Sequence, residues 1–214
     1  MAQEREIKLR IDDAQAFRRK LEHLGAQLLA GNNGRVHEWN VIFDTPQSGL
    51  ASRGQLLRIR TETPGQTSAP GQRSSQRVLL TFKRPVEQEA APAAEHHKVR
   101  EELELEVADG VMLARIFEGL GMKGWFRYEK YRTTYHLPPS AEWAKGLLIE
   151  LDETPIGTFV ELEGPPEAID RAAEELGFSR HDYIVMNYLS LYLEDCRAKG
   201  IEPRDMVFQQ EKKP

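Results

Sequence analysis

Glu4-Arg5-Glu6-Ile7-Lys8-Leu9-Arg10-Ile11 alternates charged and apolar side chains from Glu6 onward. Side chains two apart on a strand share a face. A strand over 5–11 therefore puts Glu4, Glu6, Lys8 and Arg10 on one side and Ile7, Leu9 and Ile11 on the other. The apolar side needs a core. The other side carries both signs of charge, and the rest of the chain tells whether that is a wet surface or something enclosed.

The pattern recurs. Strands are expected near 36–44, 55–62, 76–84, 97–107, 125–136, 146–152 and 157–163. Arg58 and Arg60 share a face opposite Leu57 and Ile59. Lys83 ends the fourth strand, and Arg100, Glu102 and Glu104 align in the fifth. Lys130 pairs with Arg132, Glu150 with Asp152, and Glu161 with Glu163. A single alternating strand is what one solvated face of an antiparallel sheet looks like. Like charges at i, i+2 on strand after strand are different. Two carboxylates about 6.5 Å apart repel by roughly 2.5 kcal/mol at an effective dielectric of about 20. Repeating that arrangement points to a compensating ligand. Carboxylate pairs suit Mg²⁺ or Mn²⁺, and Arg and Lys pairs suit phosphate oxygens. Acids and bases balance in number across these strands, so one closed sheet could accept a metal-bound polyphosphate without a large change in net charge.

Helices separate the strands. One follows the first strand, capped by Asp12 or Asp13, striped by Phe17, Leu21 and Leu24 and ended by Gly25. A second is capped by Asp109, striped by Met112, Ile116 and Leu120 and ended by Gly121. A third opens at Pro165-Pro166 and closes at Gly177. The last is expected over about 182–199, with Ile184, Val185, Tyr188, Leu189 and Tyr192 on its apolar side. The inserts 63–75 and 85–95 read as long hairpin connections, and 200–214 as a loose polar tail behind a single domain over 1–199.

Composition narrows the function. The chain of 214 residues has a net charge of -5 and is 40% hydrophobic and 29% charged. It has a core's worth of apolar residues and no global basic field, so nucleic acid is not expected as a partner. There is no apolar run of membrane-spanning length and no secretory leader, so a cytoplasmic protein is expected. Cys196 is the lone cysteine and reads as a small helix residue. His96-His97 reads as solvated loop, and Trp39, Trp125 and Trp143 as packing residues. No phosphate-binding G-x-x-x-x-G-K-[ST] loop and no Ser/His/Asp signature occurs.

The ordered set resembles a known family. Glu4-Arg5-Glu6-Ile7-Lys8 is similar to the E-x-E-x-K signature of the CYTH superfamily, the triphosphate tunnel metalloenzymes. Phe43-Asp44-Thr45-Pro46, Leu57 to Arg60, Lys83, Arg100 to Glu104, Lys130 to Arg132 and Gly157 to Glu163 follow in order. The resemblance implies an α+β protein: a closed eight-stranded antiparallel β-barrel, or tunnel, with helices packed outside and a C-terminal helix. It implies Mg²⁺ or Mn²⁺ held by Glu4, Glu6, Glu161 and Glu163 with Asp152. It implies a triphosphate held by Lys8, Arg58, Arg60, Lys83, Lys130 and Arg132, the catalytic set being Glu4, Glu6, Lys8, Glu161 and Glu163.

The substrate would be tripolyphosphate, a nucleoside triphosphate or thiamine triphosphate, and the protein a monomer or homodimer. Hydrolysis is the favoured reaction, because it needs only the features visible in the sequence. A class IV adenylate cyclase, making cyclic AMP and pyrophosphate, is the alternative. A polyphosphate-binding module without turnover is a third reading, and the set of carboxylates argues against it.

Overall fold

The computed structural model describes residues 3–29, 34–65, 76–86 and 96–209. The expected inserts, 63–75 and 85–95, lie largely outside the described residues. Nine strands form one sheet: β1 (Gln3–Ile11), β2 (Gln27–Leu28), β3 (Arg35–Asp44), β4 (Leu56–Pro64), β5 (Arg77–Pro85), β6 (Lys98–Glu106), β7 (Lys123–His136), β8 (Leu148–Thr154) and β9 (Gly157–Glu163). The order β7-β3-β4-β5-β6-β1-β9-β8 closes on itself because β8 also pairs with β7. Eight antiparallel strands therefore make a barrel with no free edge in the ring, which removes the unpaired-edge liability of an open sheet. The two-residue β2 is an addition on β7 that the sequence did not signal.

The register turns alternation into function. Lys8 lies opposite Glu161, Glu6 opposite Glu163 and Lys98, Arg132 opposite Asp152, and Lys83 opposite Glu102. The complementary parity faces outward, and on β1, β8 and β9 it is apolar. Helices α1 (Ala14–His23) and α3 (Pro166–Glu175) cover β1, β8 and β9 from outside, burying Ile7, Leu9, Leu21, Ile149, Leu162 and Ile169 completely or nearly so. Asp13 caps α1 by accepting from the amides of Gln15 and Ala16, each at 2.9 Å. Gly164, at φ 149°, lets β9 run on beside Gly146; a Cβ there would sit 2.6 Å from the Gly146 carbonyl oxygen.

A second apolar cluster sits inside one barrel end. Ile42, Phe126, Tyr128, Ile156 and Phe159 point inward there and meet Tyr188, Leu191, Tyr192 and Cys196 of α4 (Tyr188–Lys199). The cysteine is wholly buried in this plug, as a packing residue would be.

Four expectations need correction. The last helix begins at Tyr188, not near 182, because Ile184 is drawn out as extended backbone. Its amide donates to the Lys8 carbonyl and its carbonyl accepts from the Lys8 amide, both at 2.9 Å, and Asn187 then caps the helix. Helix α2 (Gly110–Gly119) forms with its Asp109 cap, but its predicted stripe is not buried: Ile116 is 51% exposed and Leu120 71%. Phe117 instead meets Phe43 edge-on at 5.2 Å. His97 is buried, with Nε2 2.9 Å from Asp170 Oδ1. Finally, 201–209 is not loose. Met206 exchanges backbone hydrogen bonds with Arg127 and Glu129 along β7 and is 1% exposed.

Candidate active site

The inward face of the barrel is a charged lumen. Glu4, Glu6 and Lys8 enter it from β1, Arg58 and Arg60 from β4, Lys83 from β5, Lys130 and Arg132 from β7, and Glu161 and Glu163 from β9. All the site residues expected from the sequence line it except Asp152, which lies beneath it. Glu102 and Glu104 of β6 and Glu150 of β8 line it as well.

Its groups are ordered by ion pairs taken out of water. Lys8 Nζ reaches Glu6 Oε1 at 2.9 Å and Glu161 Oε1 at 3.5 Å. Asp152 accepts from Arg132 Nε and Nη2 and from Lys130 Nζ, each at 2.7 Å, and from the Tyr188 hydroxyl at 2.6 Å. With its oxygens so engaged and no exposure, Asp152 aims the two β7 cations; it presents no open oxygen. Arg132 spans further, to Glu161 at 2.9 Å and to Glu150. Arg58 donates to Tyr128 Oη at 3.0 Å and to Thr81 Oγ1 at 3.1 Å, and Lys83 donates to both oxygens of Glu4 at 2.6 Å.

Two charges at the lumen, one buried and one half-buried, escaped the sequence reading. Glu38 of β3 lies among Arg60 at 3.4 Å and Lys130 and Arg132 at 3.6 Å, as the counter-anion of three cations. No i, i+2 charge partner marks it in the sequence. Lys98 of β6 pairs with Glu6. Its place two residues before Arg100 was a usable parity signal.

The field divides the lumen. Burial would raise the Glu161 carboxyl, but Lys8, Lys130 and Arg132 hold it well below the usual range. Glu163 is the opposite case. Burial, then Glu150 and Glu4, push it up to about 8. Burial also raises Glu150, to about 7, with Glu161 and Asp152 adding to the effect against Arg132. Burial raises Glu4 too, and Glu6 and Glu102 add to that. Burial is the first cause of all three upward shifts, neighbouring carboxylates add to it, and the donors of these groups are all carboxylate oxygens. In chemistry that fits a hard divalent cation. In geometry no site is preformed: among the described residues, no group of three or more His, Cys, Asp or Glu side chains already converges to hold a metal.

Next to the lumen is an apolar chamber, lined by Ile42, Phe43, Leu56, Trp125 and Leu189 and bordered by Lys83, Lys98 and Arg100. The two cavities share Leu56, Lys83, Lys98, Tyr128, Asn187 and Tyr188. Trp125, expected as a packing residue, is 47% exposed at this chamber.

A closed antiparallel barrel whose lumen carries a cationic rack beside an acidic cluster defines the class: a charged-tunnel protein of α+β build. The chain belongs to the CYTH family, whose domain model matches residues 2–185. Solved structures share the fold. A candidate adenylate cyclase from Vibrio parahaemolyticus is 17% identical, with a TM-score of 0.67 over 88% of this chain and 96% of that one. A conserved hypothetical protein from Pyrococcus furiosus is 26% identical, with a TM-score of 0.63 over 88% and 99%. A protein from Hippeastrum described as having a dominant triphosphatase activity is 21% identical, with a TM-score of 0.54 over 90% and 96%. No curated protein matches the chain. Among the described residues, no helix is long and apolar enough to cross a membrane.

Proposed function

We propose that the protein is a divalent-metal-dependent triphosphatase that binds its substrate's triphosphate in the barrel lumen. One observation carries this reading: Lys8, Arg58, Arg60, Lys83, Lys130 and Arg132, from four strands, line the same enclosed space as Glu4, Glu6, Glu161 and Glu163. Phosphoryl transfer asks mainly for alignment and neutralisation of charge. The guanidinium groups of Arg58, Arg60 and Arg132 can each grip two phosphate oxygens, while the lysines act as point charges. Asp152 and Glu38 keep Lys130, Arg132 and Arg60 converged before substrate arrives. Glu4, Glu6, Glu161 and Glu163 would hold Mg²⁺ or Mn²⁺, which when bound supplies Lewis-acid neutralisation of phosphate charge and a more acidic water. The plug of α4 and the barrel wall keep Lys8, Lys130, Asp152 and Glu161 buried, which strengthens the ionic contacts among them.

Cyclisation of a nucleoside triphosphate to cyclic AMP and pyrophosphate is the second reading. The apolar chamber beside the rack favours it, since a cyclase must seat a nucleoside. A product assay separates the two. The protein is incubated with tripolyphosphate, thiamine triphosphate and nucleoside triphosphates, with Mg²⁺ or Mn²⁺ or with chelator, and phosphate, pyrophosphate and cyclic nucleotide are resolved. The expected result is phosphate release that stops in chelator and returns with metal. Full turnover in chelator refutes the metal-dependent reading, and cyclic nucleotide as the main product transfers the assignment to the cyclase.

A further inference from the structure

The barrel wall changes hands beside Lys8. Strand β6 pairs with β1 only as far as Lys98 opposite Glu6. β1 runs on to Ile11 along β9, so at Lys8 its other edge has lost β6. A strap over 183–187 takes that edge. The Lys8 amide donates to the Ile184 carbonyl and the Ile184 amide donates to the Lys8 carbonyl, both at 2.9 Å. The strap then brings Asn187 and Tyr188 to the lumen, where the Tyr188 hydroxyl donates to Asp152 at 2.6 Å. One short segment therefore touches the cationic rack twice: at the backbone of Lys8, and at the carboxylate that aims Lys130 and Arg132.

A carboxylate outside the barrel latches this strap. Asp170 of α3 accepts through Oδ1 from the Tyr183 hydroxyl at 3.0 Å and meets His97 Nε2 at 2.9 Å, while its Oδ2 accepts from Arg180 Nη2 at 2.7 Å. Against the effect of burial, the hydrogen bonds from Arg180, His97 and Tyr183 hold its carboxyl below the usual range. An ionised Asp170 can only accept, so His97 Nε2 carries the proton of that pair. His97 Nδ1 is buried with no hydrogen-bond partner among the described residues, so the polar support of the ring comes from Asp170. His97 is the residue before β6 begins, and Tyr183 is the residue before Ile184. Asp170 thus ties the point where β6 stops to the point where the strap takes over.

We infer that Asp170 is a positioning residue of the lumen: from outside the barrel, through His97 and Tyr183, it holds the strap that completes the wall at Lys8 and seats Tyr188 on Asp152. Its effect on substrate rests on the triphosphate reading of the lumen. With the latch removed, the two backbone hydrogen bonds between Ile184 and Lys8 open together as a local unit, while the ladders elsewhere in the barrel stay closed. Lys8 and Tyr188 then lose part of their fixed geometry, and a rack that must be ordered by its ligand binds more weakly than one ordered beforehand.

Amide-resolved hydrogen exchange and titration calorimetry with tripolyphosphate, both on the full chain in chelator, test it. Asp170→Ala should speed exchange at the Lys8 and Ile184 amides about 10- to 100-fold, the effect of one charge-assisted hydrogen bond, while the β8–β9 ladder keeps its protection. Tripolyphosphate affinity should fall about 2- to 10-fold, the net effect of one hydrogen bond. His97→Ala should move both measurements in the same direction. His97→Gln, whose side-chain amide can donate from the place of Nε2, should restore both. Unchanged exchange at Lys8 and Ile184, or faster exchange spread evenly over the barrel, overturns the inference. So does unchanged affinity in a variant whose strap has loosened. Arg60→Ala keeps the lumen reading separate: with the latch intact it should weaken tripolyphosphate binding about 10- to 100-fold, again the effect of one charge-assisted hydrogen bond. If tripolyphosphate does not bind, or Arg60→Ala changes nothing, the lumen reading falls and the positioning role falls with it, whatever the exchange at Ile184 shows of the latch.

Discussion

In the middle of β1 both faces are buried, and they are opposite in chemistry. Ile7 and Leu9 point outward into the packing of α1 and α3 at 0% exposure, while Glu6 and Lys8 point inward at 3% and 2%. The outer face gains from leaving water, about 25 cal/mol for each Å² of apolar surface removed. The inner face is costly, because each ion loses its hydration and the Coulomb attraction of its partners only offsets that loss. A barrel built for stability alone would fill its lumen with branched apolar side chains. This one keeps a rack of ions there and relies on the outer cushion to hold the wall closed. The cushion supplies stability and the lumen supplies chemistry, and substitutions should separate the two.

The largest effect should come from the cushion. Leu9→Ala removes a fully buried side chain and should cost about 2–5 kcal/mol of stability, read by denaturant unfolding, with turnover per folded molecule unchanged. A loss below about 1 kcal/mol would mean that the wall can collapse onto the gap.

Next comes the lumen, through pH. Glu163 has its carboxyl raised from 4.5 to about 8. A raised acid contributes stability fully below its unfolded pKa, and that contribution is lost as pH rises through the folded one. In chelator the protein should therefore lose stability between about pH 4.5 and pH 8. Each unit of difference is worth about 1.4 kcal/mol, and partial exposure lessens it, so the loss is on the order of 1–3 kcal/mol. Thermal melts of Glu163→Gln across that range should show a flatter profile than wild type. Parallel profiles would remove Glu163 from the acidic cluster.

The smallest effect marks where neither regime applies. Ile116→Ala on α2 should change stability by no more than about 0.5 kcal/mol, because Ile116 is 51% exposed. A cost near that of Leu9→Ala would show that a partner covers α2 in solution.

What the sequence revealed follows the same division. Charge alternating with Ile and Leu marks both faces at once, so the parity of β1, β4, β7 and β9 was readable. The wet-sheet alternative fails on burial: Lys8, Lys130, Asp152 and Glu161 are all buried. Periodicity names an apolar side and not what covers it. That is why Met112, Ile116 and Leu120 read as a core stripe while Phe117 makes the aromatic contact with Phe43. Ile184 read as helical because its pairing with Lys8 spans the length of the chain, and local pattern carries no trace of such a partner. Glu38 stayed hidden among His37, Trp39 and Asn40, where no second charge shares its face. The chamber was invisible for a related reason: its walls come from β3, β4, β7 and the start of α4, each contributing ordinary apolar residues.

The pairing of β1 also sets a timetable. Its neighbours are β6, met at Gln3↔Glu101, and β9, met at Ile11↔Thr158. β1 thus finds no partner in its own part of the sequence: one edge is satisfied by β6 and the other only by β9. Ile184, which stitches to Lys8, and Met206, which lies along β7, are farther still along the chain. Loop closure over such separations must come before the contacts that reward it, which makes folding of such topologies slow. Until the ring shuts, Glu6 and Lys8 stay hydrated. The lumen is dehydrated only when segments far apart in the sequence have come together.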